Sequence, residues 1–245
     1  MSMKEYYYDL HIHSCLSPCG DDDMTPNNIA GMGVVAKLDI MALTDHNTCR
    51  NCPAFFKTAT AQGIVPVAGM ELTTAEDIHL VCLFEKLDDA MRFDEEISSH
   101  RTLIPNRTDI FGHQFIMDEN DGVIGTDEHF LSIATDITVD EAPALVESFG
   151  GICYPAHIDR EANGIVATLG IFPDMPEFPC AEYHDGDKKN EYEEKFPLLK
   201  TRSCVVSSDA HYLWDISGRL NCFELDCEDN ADDIRKKLFE RLKGL

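Results

Sequence analysis

Short apolar runs of about five to eight residues alternate with amphipathic stretches along most of the chain. Tyr6–Leu10 reads as a first strand. Thr25 and Pro26 then form a helix start, an N-cap followed by a proline at the first helical position, leading through Asn27–Lys37. A second strand over Asp39–Leu43 is followed by a helix over Pro53–Gln62 that Gly63 stops. Ile64–Ala68 is a third strand and Ile78–Phe84 a fourth. Between Glu85 and Ala144 the chain turns polar and acidic, with a turn signal at Asp118–Gly122, and reads as an inserted subdomain or lid. The alternation resumes with a helix over Val139–Phe149 and strands at Ile152–Tyr154, Ala181–Tyr183, Ser203–Ser207 and Asn221–Leu225. A last helix is capped by Asn230, with Ile234, Leu238 and Leu242 on one stripe.

Strands alternating with helices argue for an α/β fold with a mostly parallel sheet. At 245 residues the chain fits a single domain spanning 1–245, interrupted by the insertion at 85–144. No apolar stretch approaches the roughly 20 residues of a membrane span, so no membrane partner is expected. Residues 1–14 carry no apolar signal core, and a cytoplasmic address is the expectation. Ten cysteines in such a chain read mostly as reduced thiols, with Cys82, Cys153, Cys204 and Cys222 inside apolar runs.

The formal charge of −25 changes the picture of partners. An acidic surface without a cluster of Lys and Arg repels nucleic acid backbones and anionic lipid. That argues for a small-molecule phosphate ester or a nucleotide as substrate and sets long nucleic acids aside.

The candidate chemistry lies where His and carboxylates fall. His11 and His13 follow the first strand, His46 the second and Glu71 the third. His157 follows Ile152–Tyr154, and Asp209 and His211 follow Ser203–Ser207. In a parallel barrel the C-terminal strand ends open on one face, so these residues converge on one pocket. In extended chain i and i+2 point the same way, which lets His11/His13 and Asp209/His211 each present two groups. Imidazoles mixed with carboxylates suit Zn²⁺, Mn²⁺ or Fe²⁺, and the set exceeds what one ion can use. Arg160, three residues past His157, is a candidate phosphate clamp through its planar fork of donors. Cys15, Cys19, Cys49 and Cys52 offer a less compact alternative, a zinc or redox cluster on the same face.

With Asp9-Leu10-His11-Ile12-His13-Ser14, Thr44-Asp45-His46-Asn47, Gly69-x-Glu71, Ala156-His157 and Ser208-Asp209-Ala210-His211 in that order, the chain resembles the PHP domains, named for polymerase and histidinol phosphatase. The resemblance implies a distorted (β/α)7-type TIM-like barrel and a phosphoesterase with two or three divalent ions. It carries over His11, His13, His46, Glu71, His79, His157, Asp209 and His211 as ligands; His79, which precedes its apolar run, rests on the resemblance alone. The family places a further Asp or His about five or six positions past the second His, where this chain has Pro18 and Cys19. Asp21 is the expected substitute, with Asp22 and the Cys19 thiolate as alternatives. The reaction implied is hydrolysis of a phosphomonoester or phosphodiester by a metal-activated hydroxide, with Asp209 or His211 moving a proton. An amidohydrolase-like enzyme and a non-catalytic, metal-stabilised accessory module are the competing readings.

Overall fold

A computed structural model describes residues 3–245. The elements run β1 (Lys4–Asp9), α1 (Pro26–Ala36), β2 (Ile40–Leu43), α2 (Cys52–Ala61), β3 (Val65–Thr73), β4 (His79–Phe84) and α3 (Leu87–His100). Then come α4 (Thr108–Phe111), β5 (Phe115–Met117), β6 (Val123–Thr126), α5 (Ala142–Ser148), β7 (Gly151–Pro155) and α6 (Ile165–Leu169). The chain ends with β8 (Cys180–Tyr183), α7 (Lys189–Lys195), β9 (Ser203–Val206), β10 (Cys222–Leu225) and α8 (Ala231–Leu242). The helix signals act as read: Thr25 accepts the Asn28 N–H and Asn230 accepts the Asp233 N–H.

The fold is mixed α/β, and its sheet differs from a regular barrel. Six strands pair in the order β10-β1-β2-β3-β4-β7, with β8-β9 and β5-β6 as separate pairs among the described residues. The β1-β2 and β2-β3 pairs are parallel, whereas β3-β4 and β4-β7 are antiparallel, as is β10 at the edge. The sheet curls partway round, and a single parallel bridge, Ile12 to Ala210, links the extension of β1 to the chain beyond β9. The physical reason for the departure is the turn at Thr74–Asp77, too short for a helical crossover, so β4 returns antiparallel.

That return explains His79. The β3-β4 register sets Glu71 opposite Val81 and Thr73 opposite His79. The first residue of β4 therefore stands at the same end of the sheet as the last residues of β3. β3 also runs longer than its apolar run suggests, so Glu71 lies within the strand.

Side-chain alternation along β3 sends Val65, Val67 and Glu71 to one face and Ala68, Met70 and Leu72 to the other. The second face packs under α1, α2 and α3. The first carries Tyr8, Val67, Val81, Tyr154, Cys180 and Val205, packed with Ile234, Leu238 and Leu242 of α8. Each fully buried aliphatic side chain there contributes roughly 1.5–3 kcal/mol. Glu71 and Glu182 continue this apolar face at one end, so the carboxylates are built on rigid strands. Of the four cysteines read as core thiols, Cys82 and Cys153 are buried; Cys204 is half-buried and Cys222 is exposed on the edge strand.

Beyond β4, α3 buries Ala90, Phe93 and Ile97 in the main core. Asp94 on the same helix accepts from Cys49 N and Thr48 Oγ1, both at 2.7 Å. Residues 101–135 are tied down at several points, by Asn51 to Phe115 and Met117, by Arg50 to Asp127 and by Asn47. Its Nδ2 donates to the carbonyls of Leu131 (2.7 Å) and Ile133 (2.9 Å), and its Oδ1 accepts the Thr73 N–H (2.8 Å). Its φ of 51° is one that Asn tolerates better than most residues. Asn47→Ala removes two buried and one part-buried hydrogen bond and this tolerance, and is expected to cost about 3–5 kcal/mol. Denaturant unfolding of the variant measures the loss; a change under about 1 kcal/mol would show that Asn47 does not tie the segment down.

Candidate metal centre

β1, β2, β3 and β7 run in the same direction, and their ends deliver His11, His13, His46, Glu71 and His157 to one place. The antiparallel β4 adds His79, and the chain leaving β9 adds Asp209 and His211. Sharp turns make this possible. His157 has φ 28° and Asp209 has φ 53°, so both sit in the left-handed half of backbone space directly after their strands.

Glu71 lies at the middle, buried. Its Oε1 is 2.8 Å from His79 Nδ1, 3.0 Å from His157 Nε2 and 3.3 Å from His11 Nε2. Its Oε2 is 3.0 Å from His46 Nδ1 and 3.3 Å from His13 Nε2. Asp209 Oδ1 stands 3.4 Å from His11 Nε2 and 3.2 Å from His13 Nε2. The two imidazole nitrogens, His11 Nε2 and His13 Nε2, are only 3.1 Å apart. Three groups of donors form within this volume, each with its ligand atoms within 4.8 Å of one another: His11, His13, Glu71 and Asp209; His46, Glu71 and His79; and His13, Cys19, His46 and His211.

Three of the six rings spend one nitrogen on the protein and turn the other inward. His11 Nδ1 bonds Glu182 Oε1 (2.7 Å), His13 Nδ1 bonds Ser17 Oγ (2.9 Å) and His211 Nδ1 bonds the Asp209 carbonyl (2.8 Å). Hydrogen bonds of this kind fix the tautomer and aim the free nitrogen of a metal-binding histidine. Asp45 in turn accepts from Ser14 N (2.7 Å), Ser14 Oγ (2.6 Å) and Ser17 Oγ (2.7 Å), which locks the loop after β1 onto the loop after β2. Glu182 also accepts the His157 N–H at 3.2 Å. Neither Glu182 nor the role of Asp45 was found from sequence; the available signal was a lone glutamate inside the apolar strand Cys180–Tyr183.

Arg160 forms a close ion pair with Asp209 Oδ2, and its Nη2 lies 3.0 Å from His184 Nδ1. Its side chain lines the cleft beside Asp209 and His211. Asp21 is not brought to the centre. Its Oδ1 accepts the Asp23 N–H at 3.0 Å, closing a local turn of the kind short carboxylates favour, and Cys19 stands nearer the histidines. The four-cysteine cluster does not form: Cys49 and Cys52 turn their thiols to the Gly69 carbonyl, at 3.1 and 3.5 Å.

The electrostatics follow from crowding bases and carboxylates in a dry volume. Burial alone pushes the His11 imidazole down, but Glu182, Glu71 and Asp209 together hold it well above its ordinary value. His13 is raised to about 9 because Asp209 and Glu71 likewise outweigh burial. Burial, unopposed by enough negative charge, lowers His46 to about 3 and His211 to about 4. Burial would raise Glu71, yet His79, His11 and His46 hold it well below the usual carboxylate range. The two buried carboxylates thus favour positive charge at His11 and His13.

Two observations fit this donor set to divalent cations. Buried His46 Nδ1, His79 Nδ1 and Asp209 Oδ1 make no hydrogen bond although all adjoin the centre. The donors are nitrogen and carboxylate oxygen, the mixture that borderline ions such as Zn²⁺, Mn²⁺ and Fe²⁺ accept.

The centre opens into a cleft with two lobes that share Cys19, Arg160, Asp209 and His211. The larger, about 990 Å³, runs past His184, Ser208, Tyr212 and Asn221. The smaller, about 410 Å³, is walled by Phe111 and Phe130, whose rings lie 4.5 Å apart.

The lesion-specific endonuclease Q of Pyrococcus furiosus superposes on this fold with a TM-score of 0.65 at 15% identity, over 99% of this chain and 56% of the endonuclease. Endonuclease Q bound to a 27-mer duplex with an abasic lesion at its active site gives a TM-score of 0.63 at 15% identity, over 99% and 57%. A Bifidobacterium adolescentis protein assigned as a metal-dependent phosphoesterase gives 0.60 at 15% identity, over 95% of both chains. This chain thus spans little more than half the length of endonuclease Q. No curated protein matches it in sequence. The likeness of this fold to that of a DNA-bound nuclease overturns the exclusion of long nucleic acid on net charge. Net charge sums the whole surface, whereas a phosphate group responds to the local field of a site. No helix among the described residues is long and apolar enough to cross a membrane. The PHP domain model matches residues 9–130, the half of the chain that holds His11, His13, His46, Glu71 and His79, and the chain belongs to the PHP domain family.

Proposed function

We propose that this chain is a metal-dependent phosphoesterase, with His11, His13, His46, Glu71, His79, His157, Asp209 and His211 holding two or three divalent cations. The observation that carries the reading is a buried carboxylate, Glu71, ringed by five imidazoles at the floor of an open cleft. Bound cations supply Lewis-acid charge and activation of water at neutral pH. Glu71, within 3.3 Å of five rings and common to two of the donor groups, would serve both of them.

The chain's own residues have definite tasks. Arg160, shared by both lobes, holds a phosphoryl oxygen through its fork of donors once the substrate displaces it from Asp209. Asp209, strongly acidic beside His11 and His13, is an acceptor rather than a donor at neutral pH. His211, at the rim of the cleft and lowered to about 4, is neutral at neutral pH and, with Nδ1 held by the Asp209 carbonyl, has Nε2 free for a cation. The part of the 85–144 segment beyond α3 serves as a lid, since its Phe111 and Phe130 face the smaller lobe.

Two lobes meeting at Arg160, Asp209 and His211 suit a phosphodiester, with one ester arm in each, better than a terminal phosphate. The endonuclease Q likeness makes a phosphodiester within a nucleic acid one candidate, beside a free nucleotide. Glu71, two residues before the last residue of β3, Thr73, stands where amide hydrolases of similar design carry a modified lysine, and this disfavours the amidohydrolase reading.

The test is turnover of a phosphomonoester, a small phosphodiester and an abasic-site duplex with Zn²⁺, Mn²⁺ or Fe²⁺ added. Diester cleavage is expected, with kcat/KM falling about 100-fold or more in Arg160→Ala. Metal-loaded protein inert on all three would contradict it. Metal loading must also expel the proton on His13. Affinity should therefore rise with pH from 6.5 to about 9, where that imidazole is neutral without help, and level off for this group above it. Calorimetric titration across that range checks the sign; a flat profile would contradict the assignment of His13 as a ligand.

A further inference from the structure

Cys19 and His211 are the two members of the third donor group that belong to neither of the others. Without Cys19, that group offers a cation three imidazoles and no anion. His13 and His46 within it are buried, and His46 Nδ1 has no hydrogen-bond partner. His211 stacks on His13 with centroids 4.4 Å apart and has its Nδ1 committed to the Asp209 carbonyl. Six positions past His13 stands the Cys19 thiol, and Asp21 is turned away into its own turn.

The loop is built to present that thiol. A Cβ on Gly20 would fall 2.2 Å from the Ser14 carbonyl oxygen, so only glycine allows the chain to fold back this closely after Cys19. The Gly20 N–H bonds the Ser17 carbonyl (2.9 Å), and the Asp21 N–H bonds the His211 carbonyl (3.0 Å), joining the Cys19 loop to the His211 loop. Cys19 lines both lobes of the cleft, so it is reached from solvent while its sulfur lies among the three rings.

We propose that Cys19 is a thiolate ligand of one cation of the centre, completing a site with His211, His46 and His13 that takes Zn²⁺, Co²⁺ or Fe²⁺ in preference to Mn²⁺ or Mg²⁺. The inference rests on the metal-centre reading above and adds to it the identity of one ligand and the class of ion. The sulfur replaces its proton with the cation, and the proton passes to solvent. A thiolate supplies the missing negative charge and the soft donor that separates zinc-like ions from hard, oxygen-seeking ones.

Cobalt is the probe. Metal-free protein titrated with Co²⁺ should develop a thiolate-to-cobalt charge-transfer band in the near ultraviolet. Cys19→Ser should lose the band and one equivalent of tightly held cobalt. Cys19→Asp should recover the equivalent without the band and gain affinity for Mn²⁺. Circular dichroism of both variants confirms that they fold as the parent does. Cobalt bound by the parent without the band, or a band that persists in Cys19→Ser, overturns the inference and leaves the remaining centre standing. Failure of the parent to bind any cobalt overturns this inference together with the metal-centre reading.

Discussion

Five imidazole nitrogens stand within 3.3 Å of the two oxygens of one buried carboxylate, Glu71, and the architecture is arranged to make that crowding tolerable. A carboxylate without water is costly unless positive charge surrounds it. The carboxylates shift His11 and His13 above their ordinary range, toward the charged form. Divalent cations satisfy the same requirement with more charge in less space. A site whose carboxylates favour positive charge on their histidines is suited to exchanging protons for metal.

The fold supplies the geometry by putting donors on strands and their orienting groups on neighbouring strands. Glu182 on β8 aims His11 of β1, and the Asp45–Ser14–Ser17 set binds the loop after β2 to the loop after β1. The histidines are thus positioned by residues far away in sequence, and the cleft can stay open above them. Function would then be tuned at the cleft's walls, by Arg160, Phe111, Phe130 and the Cys19 loop, while the floor remains fixed.

Much of this was legible in the sequence because strand ends and helix caps are local signals. Thr25-Pro26 and Asn230 marked their helices, and the order of His and carboxylates after successive apolar runs pointed to one pocket. What stayed hidden was set by pairing between distant segments. Periodicity revealed the strand that begins at His79 but not its direction, so a ligand preceding its strand looked misplaced until β4 proved antiparallel. Glu182 was one acidic residue in an apolar run, and only the approach of β8 to β1 gives it work. Asp21 was a reasonable carboxylate by spacing, yet its own backbone captured it. Net charge excluded nucleic acid only by averaging over the surface.

The central claim, that the His and carboxylate cluster is a multinuclear metal centre, is tested most directly by elemental analysis of protein purified without chelator, beside a His11→Ala/His13→Ala variant. About two or three equivalents of Zn, Mn or Fe in the parent, with most lost from a variant that still folds, is the result predicted. Protein that arrives empty and stays empty when those ions are supplied would contradict the account, and would leave Glu71 neutralised by protonated histidines alone.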